Sequence, residues 1–307
     1  MKTALTKQGQ AFFAWSQKHP VGDIPPGVAK EGAGENRIPF THLANSVPVY
    51  LYFADLLKAQ KKHTLSILDV GCGTGRNISY VKDTTRGAHQ FFGIDYSHAC
   101  IDYARAQYGK HGVIYTQHEG TILPFPDNTF DFIVSSHVLE HIPKTHASTY
   151  VKEIGRILKK GGVAVIGTPN RAYCQDLFYK NPREIKKFRL VIPHLHEYYA
   201  KEILQLFRTS RSYKKLSLLQ TSNAICRRLM TDGANAIKPG KDLFSAVKFA
   251  LYSVLRQNSM FQDMMARFGS ELLIKRMNTT YNDLLAATFV SDKHPEDGDN
   301  FIMVAQK

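Results

Sequence analysis

The chain has 307 residues, 43% of them hydrophobic and 21% charged, enough for one large globular domain or one domain with an appendage. No run approaches the roughly 18 apolar residues of a membrane span, and the N-terminus lacks the apolar core and small-residue cleavage site of a secretory signal. The four cysteines, Cys72, Cys100, Cys174 and Cys226, form no CxxC pair, which disfavours a zinc site or a disulfide framework and makes the cytoplasm the default location. The net charge of +14 admits nucleic acid, anionic lipid or a small anion as partner, or none of them, since the basic residues are spread along the chain.

In chain order, residues 4–18 predict a short helix carrying Leu5, Phe12, Phe13 and Trp15. The Pro- and Gly-rich stretch 20–40 predicts a loop, and 47–60 a second helix. From Leu65 short apolar runs alternate with helical stretches. Strands are expected at 66–70, 91–95, 112–117, 130–136 and 161–169, with helices near 76–82, 97–108, 145–159 and 197–208. This alternation argues for a parallel sheet with helices on both faces and a ligand site along the strand C-termini. Residues 214–222 predict another strand, and 224–285 a mostly helical insertion. The runs TFVS (288–291) and FIMVA (301–305) predict a hairpin or edge strand returning to the same sheet. The division is therefore 1–60, an N-terminal extension covering the site; 61–223 with 286–307, the core; and 224–285, a lid or interface.

The segment ILDVGCGTGRN (67–77) carries the strongest motif. A buried strand runs into Asp69 and then into Gly71, Gly73 and Gly75, where a side chain would keep a ligand off the backbone. A dinucleotide fingerprint would need glycine at position 76, which is Arg, and no GKS or GKT follows to make a P-loop. FFGIDYS ends the next strand at Asp95, about 20 residues past the turn, where a carboxylate can accept both hydroxyls of a ribose. His118, Glu119 and Gly120 then close the third strand, and SSHVLEHIP closes the fourth.

In this order LDVGCGTG, GIDYS, LPFPDNTFDFIVSSHVLEHI and EIGRILKKGGVAVIGTPN resemble the class I S-adenosylmethionine-dependent methyltransferases, over about residues 65–222. The resemblance implies an α/β, Rossmann-like, seven-stranded and mostly parallel sheet whose last strand is antiparallel. It also implies S-adenosylmethionine as cofactor. Asp69, Gly71, Cys72, Gly73 and Gly75 would face its methionine half, Asp95 its ribose, Tyr96 and Gly120 its adenine, and Glu119 the adenine amine. Ser136 and His137 would lie beside the methionine. Asp69 as a turn cap and Tyr96 as a packing aromatic are the plainer readings of those two residues.

A hydroxyl acceptor benefits from a base, whereas a carboxylate or a free amine need not. The base candidates are His141, His137 and His196, with Glu197 as an orienting partner; helix packing is the other reading of His141, and loop fixing that of Glu140. His194-x-His196-Glu197 resembles a metal cluster, but the loop-to-helix reading is preferred and no metal is expected. TPNRAY with HLHEYYAKEIL, and GENRIPF upstream, resemble methyltransferases of cell-surface polysaccharide and glycolipid assembly. That places Arg37, Asn170, Arg171 and His194 at the acceptor, with Arg37 equally readable as a solvated loop residue. The acceptor is then a small molecule, a glycan or a lipid-linked group, methylated on oxygen. The basic amphipathic stretch 238–256 reads as a packed lid or as a peripheral membrane contact. Methylation of a tRNA base and a non-catalytic S-adenosylmethionine-binding partner protein are the rival functions.

Overall fold

The computed structural model describes residues 2–4, positions 11, 12, 14, 15 and 18, and residues 40–62, 64–172, 194–223, 288–292 and 300–307. The insertion at 224–285, the stretch 20–39 with Arg37, and the 238–256 stretch lie outside the described residues. Among the described residues no helix is long and apolar enough to cross a membrane.

The first core strand is SILDV, β2 (Ser66–Val70), after a short β1 (Lys2–Ala4). It pairs in parallel with β3 (Gln90–Asp95) on one side and β5 (Phe130–Ser136) on the other. β4 (Val113–Gln117) extends the β3 side, and β6 (Leu158–Pro169) the β5 side. The chain thus winds outward through β2, β3 and β4 and then returns to lay β5 beside β2. That reversal opens a crevice at the strand C-termini, the usual ligand position in such sheets. The sheet continues through β9 (Asn300–Gln306), antiparallel to both β6 and β7 (Lys215–Asn223). β8 (Thr288–Ser291) and β1 complete it as antiparallel additions, in the order β1-β8-β7-β9-β6-β5-β2-β3-β4.

Successive residues of the central strands face opposite sides of the sheet. Ile67, Phe132, Val134, Val165 and Ile302 join one core with Phe53, Ile78, Tyr80 and Ile101. Those last four side chains come from α1 (Phe40–Lys58), α2 (Arg76–Thr84) and α3 (His98–Tyr108). Leu68, Ile133, Ala164, Ile166 and Met303 face the other core, with Val151 and Ile154 of α4 (Lys144–Ile157) and Ile203 and Phe207 of α5 (Ala200–Ser210). Phe12 and Trp15, on a helical turn near the N-terminus, seal the first core: the Trp15 indole donates to Asp83 at 2.7 Å and its ring meets those of Tyr80 and Tyr108.

The seven strands implied by the resemblance are present, with their antiparallel member, and four features differ from the sequence reading. Residues 2–4 are strand, so Ala4, expected to begin the helix at 4–18, is not helical; the free edge of β8 offers these residues backbone partners. The helix expected at 47–60 runs from Phe40 to Lys58, so that Pro48 lies inside it instead of marking its first turn. β6 starts at Leu158, three residues early, with an irregular register near Phe130 and Phe132. The FIMVA run is not at an edge: β9 is inserted between β6 and β7.

Candidate cofactor and acceptor site

The turn after β2 is held to the neighbouring strand by its backbone. Gly71 N and Cys72 N both donate to Ile94 O, at 2.8 and 3.0 Å. Gly71, Gly73 and Gly75 all take positive φ, of 80, 53 and 77°. Their surroundings differ. A Cβ on Gly71 would run into Val138 Cγ2, and one on Gly75 would lie 2.6 Å from the Tyr115 hydroxyl. A Cβ on Gly73 would meet nothing within 4 Å among the described residues. Gly71 and Gly75 are therefore glycines for packing, whereas Gly73 borders open space that a side chain would fill. α2 starts directly from this turn, with Gly75 as its N-cap.

Asp95 ties that turn to β3. Its Oδ2 accepts from Gly73 N at 2.8 Å and its Oδ1 from Ser97 N at 3.0 Å. A carboxylate oxygen can accept more than one hydrogen bond, so these two bonds do not by themselves bar a ligand hydroxyl. Tyr96 beside it is 64% exposed, at the mouth of the same turn. Gln117, which sequence reasoning passed over as strand interior, donates 3.1 Å bonds to Tyr96 O and to Glu119 Oε1. Its amide thereby holds the β3 and β4 ends together. Gly120 follows at φ 96°, with its Cβ direction open among the described residues.

Asp69 is fully buried, and both its oxygens accept from the Tyr50 hydroxyl, at 3.0 and 2.9 Å. Burial pushes its pKa up to about 8, against the lowering effect of the Tyr50 bond and with a further rise from Asp95. Tyr50 lies on α1, so the N-terminal helix reaches the root of the glycine turn; no sequence signal marked it. Cys72 is buried too, and burial pushes its thiol well up.

The end of β5 forms the opposite wall. Ser136 Oγ and His137 Nε2 are buried without a hydrogen-bond partner among the described residues, and His137 sits at φ 58°. The His137 Nδ1 lies 2.9 Å from Oε1 of Glu140, which is fully buried and whose Oε2 accepts from Thr168 at 3.0 Å. Burial acts to raise the Glu140 pKa, but His137, and then His141 and His194, outweigh it and hold the carboxyl below its usual range. His141, on the 3-10 turn Leu139–His141, is exposed and meets the His194 ring edge-to-face at 5.0 Å. His194 Nδ1 contacts Glu197 at 2.8 Å.

His196, beyond the exposed Leu195, has partners other than those of His194: it packs on the Tyr198 ring at 4.7 Å and lies 3.6 Å from Glu202. Burial, with Lys144 next, lowers the His196 pKa. Asn170 is fully buried; its Oδ1 accepts from Ala172 N and its backbone bridges to Tyr198, which fixes the strand exit. The Arg171 guanidinium stacks 5.0 Å above the Tyr199 ring.

An S-adenosyl group fits these residues. Gly73 leaves a cradle, Asp95 offers carboxylate oxygens beside it, and Ser136 Oγ and His137 Nε2 bring unpartnered polar atoms to the same edge. The doubly wound sheet with this turn defines the class: residues 68–166 carry a methyltransferase domain of the class I S-adenosylmethionine-dependent kind, with S-adenosylmethionine as its cofactor. The family described as "Methyltransferase domain" matches residues 68–166. A demethylmenaquinone methyltransferase of Bacillus licheniformis is 29% identical over 156 residues, 50% of this chain and 61% of that protein. A fatty-acid O-methyltransferase of Mycolicibacterium smegmatis is 29% identical over 118 residues, 38% of this chain and 42% of that protein. The chain spans 38 to 61% of the length of the first curated relatives it matches. A solved SAM-dependent methyltransferase from Thermotoga maritima shares the fold at a TM-score of 0.52 and 17% identity, covering 91% of this chain and 98% of that one.

Proposed function

We propose that this chain methylates an oxygen of a small-molecule, glycan or lipid-linked acceptor, using S-adenosylmethionine. The observation that carries this reading is the meeting, at one sheet edge, of the Gly73–Asp95 cradle and a wall of histidines around a buried carboxylate. Gly73, Ser136 and His137 are assigned to the methionine half of the cofactor, with Asp69, Gly71, Cys72 and Gly75 forming the packed turn that presents it. Asp95 is assigned to the ribose, and Tyr96, Glu119 and Gly120 to the adenine. The cofactor supplies a methyl group already activated on a sulfonium sulfur, so the protein's part is alignment and removal of one proton.

His137, His141 and His196 are the candidates for that proton. In His137 the carboxylate of Glu140 faces Nδ1 and so favours the proton there, leaving Nε2 as the accepting atom, an orientation that carboxylate–imidazole pairs use generally. The lowered pKa of His196 keeps that ring neutral near pH 7 and able to accept as well. Arg37, Asn170, Arg171 and His194 remain assigned to the acceptor, Asn170 through its backbone and by shaping the strand exit. The contact of Tyr50 with Asp69 supports residues 1–60 as a cover over the site, with 61–223 and 286–307 as the core and 224–285 as a lid or interface.

Names of relatives that act on a quinone precursor and a fatty acid support an apolar small acceptor over RNA. The test is incubation of the protein and labelled S-adenosylmethionine with fractionated cell extract. Label is expected in lipid, glycan or small-metabolite pools. Label confined to RNA, or none in any pool, would refute the proposal.

A further inference from the structure

The 3-10 turn after β5 and the segment before α5 bring three metal-type ligands together, more than proton transfer requires. Glu140, His141 and His194 each offer one ligand atom, and these atoms lie within 4.8 Å of one another. Glu140 forms the buried floor, while His141 is exposed and the His194 side chain is 16% exposed, so the cluster opens toward solvent.

Two observations point to a ligand. Glu140 Oε1 is fully buried and lacks a hydrogen-bond donor among the described residues, because His137 Nδ1 approaches it without completing a hydrogen bond. A carboxylate oxygen has lone pairs for more than one partner, so this buried one, with an off-axis donor at 2.9 Å among the described residues, can still take a ligand from the open side of the cluster. Second, the carboxylate of Glu197, itself buried, engages His194 Nδ1 at 2.8 Å. A carboxylate can only accept, so the ring carries its proton on Nδ1 and presents Nε2 as a lone pair. This carboxylate–imidazole relay is how metal-binding histidines are ordinarily oriented. The two ligand segments are also clipped to each other, since Leu195 N and His196 N both donate to Glu140 O, at 2.8 and 3.1 Å.

We propose that Glu140, His141 and His194 bind one divalent transition-metal ion of the zinc type, with a coordination position left open for an acceptor oxygen. The inference deepens the acceptor wall described above and rests on that reading only for the identity of the fourth ligand. It also departs from the sequence expectation of no metal, and it draws on a different set from the His194–His196–Glu197 triplet. Tetrahedral bonds of about 2.1 Å separate ligand atoms by about 3.4 Å, so small side-chain rotations close the cluster around an ion. Two imidazoles and one carboxylate suit zinc and its first-row neighbours, not magnesium or calcium. An acceptor hydroxyl on the open position would lose its proton more readily.

The test uses the full chain, stripped with a chelator and titrated calorimetrically with Zn2+, followed by Co2+ absorption spectroscopy. Wild type, His141→Ala, His194→Ala and Glu197→Gln are compared, and S-adenosylhomocysteine binding is measured on each as a control of folding. One saturable site per chain is expected in the wild type. Glu197→Gln should weaken it about 10–100-fold, and either histidine variant should weaken it further, with S-adenosylhomocysteine still bound. Should a histidine variant lose S-adenosylhomocysteine, Glu197→Gln alone decides. A wild type that binds S-adenosylhomocysteine but no Zn2+, or a zinc affinity unchanged in the variants, overturns the site while leaving the cofactor cradle standing. A wild type that binds Zn2+ but no S-adenosylhomocysteine would overturn the cradle instead.

Discussion

Asp69 and Asp95 end neighbouring parallel strands, and their carboxyls meet different surroundings. Asp95 accepts two backbone amides at the rim of the crevice, whereas Asp69 is sealed under Tyr50 with its pKa raised from 3.8 to about 8. Above pH 3.8 an unfolded Asp69 releases its proton while the folded one keeps it. Its contribution to stability is therefore fully present below that pH and is lost as pH rises toward 8. The stability advantage of wild type over Asp69→Asn should shrink between pH 5 and pH 8 in urea unfolding; an advantage that is constant or grows would contradict this environment. Gly73→Ala should cost about 1–2 kcal/mol for placing a side chain at positive φ, and should also weaken S-adenosylhomocysteine binding. Gly71→Ala should destabilise further, through its clash with Val138. Calorimetry and urea unfolding on both variants separate the two effects. Asp95 was legible from its distance past the glycine turn. Tyr50 was not, because its partner is chosen by how α1 crosses the sheet, which no local pattern encodes.

At the scale of elements, β2 and β5 were legible residue for residue: each is an apolar run bounded by turn residues and buried among other strands. Element ends set by pairing were not. β1 exists because β8 offers an open edge, and β6 begins among lysines and glycines that no propensity marks as strand. The 123–127 stretch ahead of β5 is pinned by two side chains from α4, one of them Glu153, whose Oε2 accepts from Leu123 N at 2.9 Å. Arg156 donates to Leu123 O, Phe125 O and Asp127 Oδ1 while its guanidinium also engages Glu153. Lysine cannot reproduce this fork. Arg156→Lys should lower stability by about 1–2 kcal/mol in chemical unfolding, and a variant as stable as wild type would mean the stretch holds without that fork.

For the whole molecule, strand–helix alternation was enough to give a doubly wound sheet, but its order was not readable from the residues alone. β9 is the last strand in sequence and yet lies between β6 and β7, a placement that follows from packing over long separations. The wall of histidines beside the glycine turn was half legible. Its histidines stood out in the sequence, but the buried charge of Glu140 that gathers them appeared only once residues 137–141 and 194–197 were seen side by side. The net charge of +14 is the one global feature favouring RNA. If that charge merely solvates the surface, tRNA binding should vanish by about 0.15 M salt; saturable binding at that ionic strength would favour the RNA reading.

The central claim is that the first two core strands end in a cradle for an adenosyl group, and calorimetric titration with S-adenosylhomocysteine tests it most directly. Wild type should bind one equivalent, and a folded Asp95→Ala variant should lose about 1–3 kcal/mol, because the sugar hydroxyls lose their acceptor. Equal affinity in the two proteins, or no binding by wild type, would contradict it.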